Sequence, residues 1–298
     1  MEYIDKSIPQ NVQTAHSLLS DFLSRCMKDG FKANDDLYQK MKSDRANPQA
    51  DTTYNRLRRQ LLSENKGRCC YCMRRIEESQ TTLEHVIPNK TETELQYDSY
   101  QPYYTAELWQ TMVFAKKYLA NPHWPYAAFP HTIAYENLLP SCNGKFARTV
   151  ASPQLHAPDD RISQCCNNKR GNEVVIPFVF DPTMVSEFKY HKNGIVVWTV
   201  PDHITGDERK RLLQERKKTI DHLGLNCPEL VAIRRIWFFL SALGKDCDQA
   251  ERDRTVLYLT EDQDLTDGEK NMLANFWQSS YWCLLEEYRY FNEAKKFS

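Results

Sequence analysis

Three groups of cysteines have the spacing of metal ligands. Cys69 and Cys72 form a Cys-x-x-Cys pair, in which two thiolates from one tight turn can bind the same tetrahedral Zn²⁺. Zinc needs two further ligands, and Cys142 together with either Cys165 or Cys166 can supply them. Paired cysteines in a chain without a recognisable signal peptide favour a metal over disulfides. The sequence therefore predicts a structural zinc site, with buried free thiols as the alternative.

An acidic residue and a histidine follow the first cysteine pair as the dipeptide Glu84-His85, at the end of a predicted strand. A neutral imidazole can accept a proton near pH 7, and a carboxylate is a ligand for hard divalent cations. Neighbouring strand residues point to opposite faces, so a turn or bulge would have to bring both side chains to one site. By itself the dipeptide is weak evidence for catalysis, because a lone histidine is more often structural.

The elements that would carry these residues follow from apolar periodicity and from turn and capping signals. Helices are predicted over 10–28, 51–67 (with Asp51 as the N-cap), 106–119, 206–223, 228–243 and 267–291. Strands are predicted over 73–76, 82–87, 174–180 and 195–200, the first two of them as a β-hairpin.

The predicted fold class is α+β, in three regions. Residues 1–65 form an N-terminal helical region, and residues 66–200 form a module that holds the cysteines and Glu84-His85. This module contains an aromatic-rich insertion over 89–134. Residues 201–298 form a mainly helical C-terminal region, whose apolar and aromatic stripe is a candidate docking surface for a partner.

Composition narrows the classes of function. The chain has 298 residues, 41% of them hydrophobic and 27% charged, and this supports a sizeable packed core. Its net charge of −1 means that nucleic acid would have to be bound by a local patch. No apolar run is long enough to span a bilayer, so we expect a cytoplasmic protein without a membrane partner.

The order of these motifs resembles that of the HNH, or ββα-metal, endonucleases. In that family a Cys-x-x-Cys pair precedes an Asp/Glu-His, an Asn before two apolar residues, and Cys-Asn-x-x-Lys-Gly. The corresponding segments here are Cys69 to Cys72, Glu84-His85, Asn137-Leu138-Leu139 and Cys166 to Gly171. The fold implied is a zinc-stapled ββα-metal nuclease module between two helical regions.

The resemblance implies a role for each residue of the dipeptide and for two asparagines. His85 would be the general base that activates water. Glu84 and Asn167 would bind one catalytic Mg²⁺ or Mn²⁺, which neutralises the scissile phosphate and stabilises the leaving oxygen. Asn137 would make backbone hydrogen bonds that fix the loop carrying His85. The acid is Glu where the family more commonly has Asp.

Two further assignments follow from the resemblance. Lys169 and Arg170 would contact neighbouring phosphates. The register of the last motif has two readings: Cys166-Asn167 aligns the following Arg-Gly with the family pattern, whereas Cys165 as zinc ligand would leave Asn168 as the catalytic one. The first reading is preferred.

Further segments narrow the resemblance to the PtuB-like HNH proteins, the nuclease subunits of Septu-type antiphage defence systems. They include Phe180-Asp181-Pro182 and Leu223-Gly224-Leu225-Asn226, and the resemblance covers about residues 51–238. It implies DNA as the favoured substrate and an ABC-type ATPase, PtuA-like, as the partner. The alternatives are a zinc-stabilised module that binds nucleic acid or protein without cutting it, and the same nuclease acting on RNA.

Overall fold

The structure is a computed structural model that describes residues 1–30, 35–121, 128–144, 164–171, 173–191, 193–228, 230–231 and 234. The predicted helix 267–291, most of 228–243 and the C-terminal aromatic stripe lie outside the described residues. In the described part, no helix combines the length and the apolar character that crossing a membrane requires.

The elements, in chain order, are the helices α1 (Pro9–Lys28), α2 (Leu37–Ser43), α3 (Thr53–Glu64), α4 (Glu94–Asp98), α5 (Ala106–Gln110), α6 (Ala115–Ala120), α7 (Cys166–Arg170), α8 (Pro182–Ser186) and α9 (Gly206–His222). The strands are β1 (Thr81–His85), β2 (Met112–Val113), β3 (Phe129–Pro130), β4 (Leu138–Cys142), β5 (Phe188–Tyr190) and β6 (Val196–Trp198). The fold is thus a mixture of helices and small two-stranded sheets.

The chain divides into two compact units, whose boundaries differ from those of the three predicted regions. One unit contains Met1–Asn143 and Asn172–Val185, and the other contains Gly144–Gly171 and Ser186–Ser298. The N-terminal helices belong to the first unit together with β1 and β4, because their apolar faces share one core with the strands.

Helix α3 packs against both strands of the β1–β4 ladder in the first unit, and α1 and α2 pack against α3. The predicted helix 10–28 is confirmed by α1, and the second predicted helix by α3. The N-cap of α3 is Thr52 and not Asp51: the Thr52 side chain accepts a hydrogen bond from the Asn55 backbone N–H. Helix α2 was not predicted, because it has only seven residues and its three buried side chains give little periodic signal.

The predicted β-hairpin of 73–76 and 82–87 is wrong. Strand β1 pairs antiparallel with β4, with His85 opposite Leu138 and Thr81 opposite Cys142. Residues 73–76 instead close a loop in which the Ile76 N–H donates to Gly67 O. The sequence did not predict β4, because Pro140 in its middle lacks the N–H of a regular ladder residue and so argues against a strand.

The aromatic insertion folds inside the first unit, but its predicted helix 106–119 is interrupted. Strand β2, which pairs in parallel with β3, lies between α5 and α6. Rings fill the space between these short elements, with Tyr97 and Trp109 centroids 4.5 Å apart. The predicted strand 174–180 is also absent, since its end forms a 3₁₀ helix over Phe178–Phe180.

In the second unit, β5 and β6 form an antiparallel pair against which α9 packs, so the predictions over 195–200 and 206–223 are confirmed. The block Leu223-Gly224-Leu225-Asn226 follows α9. Gly224 has φ +57°, and a Cβ there would lie 2.6 Å from Gln164 O. The Asn226 amide exchanges two hydrogen bonds of 2.9 Å with the Val196 backbone. The block therefore joins the end of α9 to β6 and to the segment before α7.

A lysine is buried in the first unit. Lys6 is 1% exposed, and its Nζ lies 3.9 Å from the centroid of the Tyr135 ring. Burial lowers the pKa of Lys6 to about 8, an effect that the Glu64 and Glu136 carboxylates partly offset. Glu136 is fully buried and accepts a hydrogen bond from His16 at 2.7 Å.

The lowered pKa of Lys6 predicts a pH-dependent stability. Between pH 8 and the ordinary lysine pKa the unfolded chain binds more protons at this site, so the free energy of unfolding rises with pH. We expect the stability of the wild type relative to Lys6→Met to rise by up to about 3 kcal/mol from pH 7 to pH 10. Urea unfolding across this range measures it, with Lys28→Met on α1 as the exposed control. A difference that stays constant with pH would contradict the prediction.

Candidate metal centre and active site

Four buried cysteines are positioned to bind a metal such as zinc. The sulfurs of Cys69, Cys72, Cys142 and Cys166 lie within 4.8 Å of one another, and those of Cys72 and Cys142 are 4.0 Å apart. A tetrahedral Zn²⁺ with bonds of about 2.3 Å separates its sulfurs by about 3.8 Å. All eight cysteines in the described part of the chain are buried and outside any disulfide, so the set matches a Cys₄ zinc site in ligand type, number and spacing.

The Cys-x-x-Cys pair is shaped by a tight turn. The Met73 N–H donates to Cys69 O at 3.0 Å, and Met73 itself has φ +64°. This left-handed conformation is uncommon for a residue with a side chain. The hydroxyl of Ser141 lies 3.7 Å from Cys69 Sγ and is suited to donate to a thiolate. The third ligand, Cys142, is the last residue of β4.

The beginning of α7 places Cys166 and not Cys165 in the cluster, in agreement with the preferred register. The Cys166 N–H donates to Leu223 O at 2.7 Å, and Cys166 has φ +55°. Gly144 has φ +70°, and a Cβ there would lie 2.3 Å from Cys165 O and 2.5 Å from Asn168 Cβ. Glycine at this position therefore allows the chain to pass close to the start of α7.

His85 ends strand β1 and is half-buried. Its Nε2 lies 2.8 Å from the carbonyl oxygen of Thr132. A carbonyl only accepts hydrogen bonds, so Nε2 carries the proton and the lone pair of the neutral ring is on Nδ1. The Thr132 carbonyl thus sets both the ring orientation and the tautomer that a general base needs.

Asn137 makes the backbone hydrogen bonds expected of it. Its Nδ2 donates to Ile87 O at 2.9 Å and to His131 O at 2.7 Å, and its Oδ1 accepts from the Ile87 N–H at 2.6 Å. Ile87 lies two residues after His85, and His131 immediately precedes Thr132. Asn137 therefore fixes both backbone segments, the one that follows His85 and the one that carries Thr132, whose contact orients the His85 ring.

Replacing Asn137 by alanine is expected to lower the free energy of unfolding by about 2–5 kcal/mol. The side chain is fully buried, and its loss leaves three backbone groups without their partner. Urea denaturation measures the change. Asn47→Ala is the matched control, because the Asn47 side chain makes two local hydrogen bonds in an exposed turn. Its substitution is expected to lower the free energy of unfolding by less than about 1 kcal/mol. Equal stability of the two variants would argue against the bracing role.

Glu84 precedes His85 on β1 and is buried, with 4% exposure. Strand pairing continues regularly from Glu84↔Leu139 to His85↔Leu138, so no bulge turns the two side chains to the same face. Both residues nevertheless interact with Tyr38 of α2. The Tyr38 ring centroid is 4.5 Å from that of His85. The pKa of Tyr38 is raised by burial, by Tyr54 and to a smaller extent by the Glu84 carboxylate.

The remaining predicted site residues lie on α7. Asn167 is half-buried, whereas Asn168 and Lys169 are exposed. Arg170 is only 2% exposed, so its predicted contact with a phosphate does not agree with its burial. Of the two predicted phosphate contacts, Lys169 is the accessible one.

The structure also shows two groups in contact with His85 that the sequence did not indicate. The carbonyl of Thr132 carries no side-chain signal in a sequence. Tyr38 lies 47 positions before its partner His85, on a helix that was not predicted. No pattern within the β1 segment indicates either of them, because both contacts arise from tertiary packing.

No protein-family model matches this chain, and no curated protein shows a significant match to it.

Proposed function

We propose that this protein is a metal-dependent endonuclease of the HNH type that hydrolyses phosphodiester bonds, with DNA as the favoured substrate. One observation carries the proposal. His85 ends a strand with its Nε2–H on the Thr132 carbonyl, and Asn137 braces both segments of that contact. This arrangement orients a neutral imidazole with Nδ1 as its proton acceptor, as abstraction of a proton by a general base requires.

The order of elements supports the same proposal. Along the chain, β1 with His85 is followed by its ladder partner β4 with the ligand Cys142, and then by α7 with Cys166 and Asn167. Strand, strand and helix in this order, with the histidine on the first strand and the asparagine on the helix, is the arrangement that the resemblance implies.

His85 acts as the general base in the proposed reaction. Its Nδ1 lone pair accepts a proton from the attacking water while Nε2–H stays on the Thr132 carbonyl. The carbonyl also stabilises the imidazolium that forms when the proton is taken up. Lys169, which is exposed on α7, contacts a phosphate of the substrate backbone.

Glu84 and Asn167 are the proposed ligands of a catalytic Mg²⁺ or Mn²⁺. Glu84 and His85 need not share one face of β1, because the ion would act on the leaving oxygen and His85 on the attacking water, which lie on opposite sides of the phosphorus. A carboxylate and an amide carbonyl are hard oxygen donors, and a site with few protein ligands suits Mg²⁺, which retains several waters. When bound, the ion would neutralise charge on the scissile phosphate. Zn²⁺ at the four cysteines has a different task, because a closed Cys₄ site leaves no position for water and therefore stabilises structure.

We further propose that the nuclease is the effector of an antiphage system that works with an ABC-type ATPase. The charge distribution supports dependence on a partner. Several basic residues of α9 are paired with acids on the same helix, as in Arg211–Glu215 at 2.8 Å and Lys217–Asp221. Such pairs leave little net positive field for capturing nucleic acid unaided.

The test is incubation of the purified chain with supercoiled plasmid and, separately, with total RNA, in Mg²⁺, Mn²⁺ or EDTA. We expect metal-dependent nicking of the plasmid, suppressed by EDTA. Cleavage of RNA alone would keep the chemistry and change the substrate. Binding without cleavage, both for the chain alone and with a co-purified ABC-type ATPase and ATP, would identify a zinc-stabilised binding module and overturn the proposal.

A further inference from the structure

Helix α2 is anchored beside the catalytic end of β1. The hydroxyl of Tyr38 donates to Leu83 O at 3.2 Å, two residues before His85. The Tyr38 and His85 rings meet edge to face, with centroids 4.5 Å apart and planes at 73°. This contact fixes the position of α2 relative to His85, and so of every side chain on the same face of the helix.

Lys42 lies one turn after Tyr38 on that face of α2. Its Nζ is 4.5 Å from the centroid of the Tyr38 ring and 5.8 Å from that of Tyr54. Since the same Tyr38 ring contacts His85, Nζ is at most twice 4.5 Å from the centroid of the His85 ring. The ammonium is therefore held near the proposed base by two aromatic rings.

Lys42 differs from the other basic residues nearby in its electrostatic partners. Lys40 on the same helix pairs with Asp35 at 2.7 Å, and Arg25 pairs with Asp44. Lys42 is exposed, and among the described residues no carboxylate forms an ion pair with it. A cation–π contact at an exposed site is worth only about 0.5–1 kcal/mol. An anion can therefore replace the aromatic rings as the partner of the ammonium with little loss of free energy.

We propose that Lys42 binds the scissile phosphate, or the phosphate next to it, in the reaction for which His85 is the base. This inference rests on the proposed nuclease function and names a phosphate contact outside the ββα elements. The distances agree with it. A phosphate oxygen on Nζ and an attacking water on the imidazole allow the two groups to be up to about 10 Å apart, since each hydrogen bond is about 2.8 Å and water approaches phosphorus at about 3–3.5 Å. The upper limit of twice 4.5 Å lies within that reach.

The test compares Lys42→Gln, Lys42→Arg and the control Lys40→Gln in plasmid cleavage. Lys42→Gln is expected to lower kcat/KM roughly 10- to 100-fold, Lys42→Arg to recover most of it, and Lys40→Gln to change it less than about twofold. Thermal melting verifies that all three variants are folded, as expected for substitutions at an exposed position (Lys42) and a partly exposed one (Lys40). Unchanged cleavage by Lys42→Gln, or an equal loss in Lys40→Gln, would overturn the inference.

A binding measurement separates this inference from the proposed function. In the His85→Ala background with Mg²⁺, the logarithm of the affinity for duplex DNA falls with the logarithm of salt concentration. Adding Lys42→Gln is expected to reduce that slope by about one, the value for one lost phosphate contact. If the wild type never cleaves but the slope changes, the nuclease proposal fails and the contact stands. If the wild type cleaves and the slope is unchanged, the contact fails and the nuclease stands.

Discussion

Replacing His85 by alanine is expected to lower cleavage by roughly 10²- to 10⁴-fold, the usual contribution of a positioned general base. The fall should appear mainly in kcat, because an imidazole that accepts a proton in the transition state adds little to ground-state binding. Its hydrogen bond to the Thr132 carbonyl gives His85 the tautomer that the proposed base needs, with the lone pair on Nδ1. Initial rates of plasmid nicking in Mg²⁺ and Mn²⁺ measure the effect.

His203→Ala is the matched control for this variant, because His203 is exposed and lies far along the chain from β1. It is expected to cleave like the wild type. Zinc content and far-UV circular dichroism should be the same for both variants. A His85→Ala protein that folds, retains zinc and cleaves at the wild-type rate would rule out the mechanism.

Substituting one of the four clustered cysteines is expected to have the largest effect on stability. Elemental analysis of the purified wild type should find about one zinc per chain, and Cys72→Ser should lose most of it. Metal binding of a Cys₄ site is part of the folding free energy, so we expect the melting temperature to fall by about 10 °C or more. Incubation of the wild type with a strong chelator should produce a similar fall.

Cys26→Ser separates loss of the metal from loss of a buried thiol. Cys26 is buried on α1, outside the cluster, and burial raises its pKa to about 11. This variant should retain its zinc while losing only the stability of a modest change in the core. Wild-type protein without zinc, or a Cys72→Ser variant with a full complement of it, would contradict the assignment.

The sequence by itself determined the elements and ligands whose signals are local. Helices α1, α3 and α9 follow from apolar periodicity with capping and stop signals. The ligands Cys69, Cys72 and Cys142 follow from the preference of zinc for thiolates and from the Cys-x-x-Cys spacing, whereas the structure decided for Cys166 over Cys165 as the fourth. The resemblance implied that Asn137 makes backbone hydrogen bonds that fix the loop carrying His85, and its hydrogen bonds to Ile87 are present.

Only the tertiary structure decided which strand pairs with β1. The partner β4 begins 53 residues after His85, and its proline and uniformly buried residues do not alternate as a half-buried strand would. The predicted partner 73–76 was closer in sequence, but its backbone hydrogen bonds are used within the cysteine loop. Strand pairing depends on which segments bury apolar surface together, and a sequence shows that only when the segments are neighbours.

Tertiary structure likewise decided the surroundings of His85. The Thr132 carbonyl, the Tyr38 ring and the Lys42 ammonium come from the end of an insertion and from a seven-residue helix. A backbone carbonyl has no residue-type signal, and a short helix is stabilised by packing and not by its own propensity. The sequence therefore determined which chemical groups are present, and the fold determined which of them lie next to His85.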